Sequence, residues 1–152
     1  MSRNIVICHS SKNKTGLKEI SDYLTSKCTF NISILNENEP LDLSFRAQLI
    51  AECDTFVVLS NASFKSSIDC MECLHFAKDL RKDIICINTN MSFRPYGALG
   101  AICYSTRSGL VQLENASDGE SLEKIYKLIV ATEVKRDEMK SQTTDRIQSA
   151  SK

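Results

Sequence analysis

The sequence predicts a three-layer α/β fold: a five-stranded parallel sheet with helices on both faces. Three observations predict it. Short runs rich in β-branched and aromatic residues recur at the length of buried strands. Stretches with apolar residues three and four apart fall between them, the spacing of one helical face. The joints are short, so strand and helix alternate, and strands joined through a helix lie parallel.

Residues 53–88 show the unit most plainly. Thr55 to Leu59 (TFVVL) is a strand, and Ser60 to Ser67 is a polar connection. Cys70, Cys73, Leu74, Ala77 and Leu80 then share one helical face. Ser67 or Asp69 can cap that helix by accepting from a free N–H of the first turn. Arg81 and Lys82 are placed in the last turn, where cations suit the helix dipole. Asp83 to Asn88 (DIICIN) is the next strand.

The rest follows in order. Asn4 to Cys8 (NIVIC) is the first strand, followed by the polar loop His9 to Gly16. Leu17, Ile20 and Leu24 mark a helix ending near Lys27. Phe30 to Leu35 (FNISIL) is the second strand. Asn36 to Leu43 (NENEPLDL) is an acidic, Pro-containing loop, expected to be exposed. Ser44 to Glu52 is a short helix with Phe45, Leu49 and Ile50 facing inward. Thr89 to Gly100 is irregular. Ala101 to Tyr104 and Leu110 to Leu113 are short apolar runs, one or both of them strands. Ser117-x-x-Glu120 is a capping-box pattern that opens a helix through Leu122, Ile125, Leu128 and Ile129. We expect one domain over 1–135, and a polar helix end and frayed tail over 136–152.

Composition narrows the function classes. The chain has 152 residues, enough for one domain with a real core. Its 19 basic and 19 acidic residues cancel, which argues against binding nucleic acid or a membrane surface by bulk charge. No apolar run is long enough to span a membrane. The N-terminal MSRNIVICHSS has only a short apolar core, too short for a signal peptide, so a cytoplasmic location is expected. Seven cysteines, mostly in apolar runs, then read as reduced core thiols.

Ligands of such folds bind at the carboxyl ends of the strands. That edge carries His9 to Gly16, Asn36 to Leu43, Ser60 to Ser67 and Thr89 to Tyr96. A phosphate-accepting receiver domain needs an Asp after the third strand, where Ser60-Asn61 stands. A flavodoxin needs aromatic residues to stack on its flavin, and none has a clear place, although Ser10, Ser11, Thr15 and Gly16 resemble a loose phosphate loop. No nucleotide P-loop is present. Cys70-Met71-Glu72-Cys73 has the spacing of a redox pair at a helix start. Residues 60–69 separate it from its strand, unlike a thioredoxin motif, and no second pair completes a zinc site. Cys70 and Cys73 therefore read as core-facing residues of one stripe, and no metal is expected.

Four pieces of the chain together resemble a Toll/interleukin-receptor (TIR) domain. Ile5-Val6-Ile7-Cys8-His9-Ser10 is similar to the family's first box. Glu52-Cys53-Asp54-Thr55-Phe56-Val57-Val58-Leu59-Ser60 resembles its third strand. Phe64-Lys65-Ser66-Ser67-Ile68-Asp69-Cys70 resembles the approach to its third helix. Arg81-Lys82-Asp83-Ile84-Ile85-Cys86-Ile87 and Phe93-Arg94-Pro95-Tyr96-Gly97-Ala98-Leu99-Gly100 are similar to segments of animal TIR proteins outside the receptors. The resemblance implies a flavodoxin-like fold and one of two activities. TIR domains associate with other TIR domains through the loop after the second strand, or cleave NAD at the nicotinamide–ribose bond.

The cleaving members carry a Glu three residues after the position matched by Cys70. A carboxylate there stabilises the ribosyl cation-like centre left when nicotinamide departs. Here that position is Cys73, and Glu72 stands one place earlier, about 100° around the helix. Glu72 has two readings: a solvated residue paired with a cation a turn away, or the catalytic carboxylate. His9 is a surface loop residue or a contact at the nucleotide, with Ser10 and Ser66 beside it. The loop Asn36, Glu37, Asn38, Glu39, Pro40, Leu41 and Asp42 is a solvated turn or an interaction loop that wants a basic partner. The expectation is a TIR-type signalling protein, of the kind used in innate immunity, acting by association with TIR partners or itself, without a cofactor. The alternatives are an NAD-cleaving enzyme using Glu72, and a relative that binds a nucleotide without turnover.

Overall fold

The computed structural model describes residues 3–27, 30–39, 42–113 and 119–131. Pro40, Leu41, Ser117 and all residues after 131 lie outside the described residues, so the capping box and the polar tail do too.

Along the chain come β1 (Arg3–Cys8), α1 (Leu17–Ser26), β2 (Phe30–Leu35), α2 (Leu43–Glu52), β3 (Thr55–Ser60) and α3 (Ala62–Ser66). Then come α4 (Ile68–Asp79), β4 (Asp83–Asn88), α5 (Gly97–Ser105) and β5 (Leu110–Gln112). A last helix, α6, covers 119–131. The five strands form one sheet in the order β2-β1-β3-β4-β5, and every neighbouring pair is parallel. This is the flavodoxin-like arrangement, with its switch of strand order between β1 and β3.

Successive side chains of a strand point to opposite faces, and both faces here are covered. Val6, Cys8, Phe56, Val58 and Cys86 pack with Ile50 of α2, Phe64 of α3, Leu74 and Ala77 of α4, and Leu99 and Ile102 of α5. Ile5, Ile7, Val57, Leu59, Ile85 and Ile87 pack on the other face with Ile20 and Leu24 of α1 and Leu122, Ile125 and Ile129 of α6. Two-sided burial is why these strands read as continuous apolar runs. The turn into α1 needs Gly16, whose φ of +84° lies in the left-handed region. A Cβ there would stand 3.1 Å from Leu113 Cδ2.

Several local expectations change. Ala101 to Tyr104 is not a strand but the second half of α5, because Leu99, Ile102 and Cys103 repeat at helical spacing and bury one side. The fifth strand is Leu110–Gln112 alone. Phe45 is 48% exposed, and Arg46 takes the inward place at 5%, one turn before buried Ile50. Residues 60–67 are not all loop: Asn61 caps the short α3 by accepting from Phe64 N (2.8 Å). Ser67 caps α4 by accepting from Cys70 N (3.2 Å). That helix ends at Asp79, so Leu80 is largely exposed and Arg81 and Lys82 lie beyond the last turn. Arg81 has φ 58° in the turn to β4, and Lys82 Nζ donates to the Ala51 carbonyl (2.6 Å).

Candidate functional site

The carboxyl ends of β1, β2 and β3 meet the first turn of α4 at the switch point, the place of the ligand crevice in open α/β sheets. β1 runs into His9, Ser10 and Ser11. His9 is not on the surface; it is 1% exposed. Its Nδ1 donates to the Ser10 carbonyl (2.9 Å), and the Asn36 amide donates to its Nε2 (3.4 Å). A neutral ring with its proton on Nδ1 satisfies both contacts. Burial pushes the imidazole below its ordinary value and Lys14 adds to this, against the Ser10 carbonyl and Glu37.

The loop after β2 does not stay wholly in solvent. Asn36 Oδ1 accepts from Asn38 N (2.7 Å) and Glu39 N (2.8 Å), so the chain doubles back at once. This turns Glu37 inward while Glu39 and Asp42 face out; Asn38 is exposed but its amide donates to Ser11 Oγ (3.0 Å). Glu37 Oε1 accepts from Ser11 Oγ (2.5 Å), Ser11 N (2.9 Å) and Ser10 Oγ (3.2 Å), and Oε2 accepts from Cys70 Sγ (3.1 Å). The Glu37 carbonyl accepts from Arg46 Nη2 (2.5 Å). Burial pushes the Glu37 carboxyl up, but hydrogen bonds from Ser11, Cys70 and the backbone outweigh it and hold it at about 2. It is an anion at neutral pH with four donors already on it.

The other expected site residues separate. Glu72 is exposed and lines a small groove of about 110 Å³ between α2 and α4, with Leu43, Arg46, Asp69, Cys73 and Phe76. Ser66 ends α3 and is exposed. Asp42 caps α2 by accepting from Ser44 N (2.8 Å). The crevice thus unites His9, Ser10, Asn36 and Glu37, and leaves Glu72 and Ser66 outside it. It also contains Arg46, which the sequence did not single out for a site, and Ser11, which the sequence offered only as part of a loose phosphate loop. The Asx turn at Asn36 and the Ser-Ser pair after β1 were the signals available for them.

Farther along the edge, Ser60 and Asn88 are register partners on β3 and β4. Ser60 Oγ and Asn88 Oδ1 are buried and without a hydrogen-bond partner among the described residues. Such orphans mark places where a water or ligand is wanted. Asn88 Nδ2 is used, donating to the Phe93 carbonyl (2.9 Å) and Gln112 Oε1 (3.0 Å). Among the described residues, no cluster of His, Cys, Asp and Glu has the form of a metal site, and no helix is long and apolar enough to cross a membrane.

No protein-family model matches the chain, and no curated protein matches it in sequence. Solved structures do match its fold. The RPS4 and RRS1 TIR domain heterodimer is 16% identical, with TM-score 0.52 over 84% of this chain and 97% of that one. The CMP N-glycosidase BcmB of Clostridium botulinum is 15% identical, with TM-score 0.54 over 79% and 97%. A diflavin flavoprotein A3 from Nostoc sp. is 13% identical, with TM-score 0.53 over 80% and 85%. At such identities the likeness is one of fold: TIR-like and flavodoxin-like.

Proposed function

We propose that this chain is a TIR-type signalling protein, of the non-receptor kind, that works by associating with other TIR domains or with itself and does not turn over a nucleotide. One observation carries the reading: among the described residues, the crevice holds no unengaged carboxylate. The helix position where NAD-cleaving TIR domains carry Glu is Cys73, a thiol with neither the charge nor the paired acceptors of a carboxylate. Glu72 faces solvent on the α2 side of α4. A carboxylate does enter the crevice, but from the loop after β2, and intrachain donors occupy both oxygens of Glu37. A ribose hydroxyl would have to displace them.

The same bonds hold Asn36 to Glu39 in one shape. They present Glu39 outward on a pinned turn, with exposed Leu43 and Phe45 nearby. A pre-ordered acidic loop beside apolar side chains suits recognition of a basic partner surface, because less ordering entropy is lost on binding. Sedimentation and pull-down with TIR domains test this. Glu39→Lys should weaken association at least tenfold, and unchanged association removes the loop from the interface.

A second reading has its own support. Ser60 Oγ and Asn88 Oδ1 stand buried and, among the described residues, unpartnered at the carboxyl edge of the sheet, and a CMP N-glycosidase has a similar fold. On this reading the chain holds a nucleotide along the carboxyl edge of the sheet, against Ser60 and Asn88, without cutting it. Calorimetry with NAD, ADP-ribose and CMP decides it: micromolar affinity that Asn88→Ala abolishes supports binding, and no heat with any of the three removes it.

A further inference from the structure

Cys8 ends β1 and is fully buried, and Cys70 in the first turn of α4 is 1% exposed. Cys73, one turn along α4, is half-buried and lines the groove with Arg46, Asp69 and Glu72. Among the described residues it is the one cysteine that is not buried. Cys8 and Cys70 are buried in one packed cluster and Cys73 packs against it, but their surroundings differ. Cys70 Sγ points at an anion, Glu37 Oε2 at 3.1 Å, with the His9 carbonyl at 3.4 Å, so its proton is held by two acceptors. Cys8 is pushed up by hydrogen bonding with Cys70 and Cys73 and then by burial. Cys73 moves down: the hydrogen bond from Cys8 favours its thiolate, burial opposes it, Arg46 favours it, and Asp69 and Glu72 oppose it. Reactivity follows thiolate character and access.

We propose that Cys73 is a modification site for hydroperoxides and that Cys8, rather than Cys70, is its resolving thiol. The Cys73 thiolate attacks one oxygen of the peroxide and the O–O bond breaks. The other oxygen leaves as hydroxide or alkoxide and takes up the proton that Cys73 released, and Cys73 is left as a sulfenic acid. Cys8 sulfur then attacks Cys73 sulfur, the S–O bond breaks, and the departing hydroxyl leaves as water with the Cys8 proton. The two thiols lose two electrons and the peroxide gains them. The product ties β1 to α4, whereas a Cys70–Cys73 bond would join neighbouring turns of one helix. Cys70 is excluded from the exchange by its bond to Glu37.

The full chain is treated with dilute hydrogen peroxide, quenched by alkylation and mapped without reduction by mass spectrometry. A Cys8–Cys73 peptide should be the main disulfide. In Cys8→Ser, a sulfenic-acid trap should label Cys73. In the untreated wild type, limiting iodoacetamide should modify Cys73 roughly tenfold or more faster than Cys86 or Cys103; this arm needs no variant. A Cys70–Cys73 link as the main product overturns the proposal. So does a Cys73 that is untrapped in Cys8→Ser, or one that alkylates no faster than Cys86 and Cys103 in the wild type.

Discussion

Replacing Glu37 by Gln keeps the shape of the side chain and removes its charge, which isolates what the anion does in the crevice. The Gln oxygen can still accept from Ser10 and Ser11. Its NH₂ then replaces the oxygen that Cys70 Sγ approaches at 3.1 Å, setting donor against donor. Holding a carboxyl at about 2 rather than about 4.5 corresponds to at most about 3–4 kcal/mol. The group is only part-buried, and solvent screening reduces this to about 1–2 kcal/mol. That range agrees with the loss of charge-assisted hydrogen bonds. The sign follows from linkage. The folded carboxyl lies below its unfolded value, so its contribution is complete above about pH 5 and fades as pH falls from about 4.5 through about 2. Urea unfolding of wild type and Glu37→Gln near neutral pH should therefore differ by about 1–2 kcal/mol. The gap should narrow towards about pH 2.5. A gap that is absent at neutral pH, or constant down to about pH 2.5, would refute the ionised latch.

Other changes bear on the scaffold. Gly16→Ala forces a left-handed φ on a residue with a Cβ, 3.1 Å from Leu113 Cδ2; a loss of about 1–2 kcal/mol is expected by urea denaturation, and an unchanged midpoint contradicts it. Leu74→Ala opens a cavity under α4 at a fully buried site and should cost about 2–5 kcal/mol, read as a lower thermal midpoint with the far-ultraviolet spectrum retained. A loss below about 1 kcal/mol would mean that α4 is not packed as described.

How much of this was legible in the residues varied with the kind of signal. The β-branched runs at Ile5 to Cys8 and Thr55 to Leu59 declared strands buried on both faces, because nothing polar interrupts them. Ala101 to Tyr104 is also apolar and short, and a run of that length does not tell a strand from a buried helix. Phe45 and Arg46 exchanged places because hydrophobicity alone says Phe goes in. The helix instead buries an arginine whose guanidinium has a backbone acceptor, the Glu37 carbonyl. The crevice was partly legible. His9 and Ser10 lie at the strand end where ligand contacts belong, and Ser67 caps α4 as its side chain suggests. Glu37 was placed only within an acidic loop. Its inward turn depends on Asn36 folding the chain back and on Ser11 and Cys70 waiting across the crevice, contacts between segments far apart in sequence. Composition and spacing carry no trace of such pairings. The same holds for Cys8, which read as one core thiol among several until α4 packed Cys70 and Cys73 above it.

The proposal of association without cutting stands or falls on a turnover assay. Concentrated wild-type protein is incubated with NAD and the mixture is separated by chromatography for free nicotinamide. No nicotinamide above the no-protein control is expected. Nicotinamide release that disappears in Glu72→Ala or in Glu37→Gln would contradict the proposal, since one of these carboxylates would then be performing the chemistry for which the described residues of the crevice leave no free acceptor.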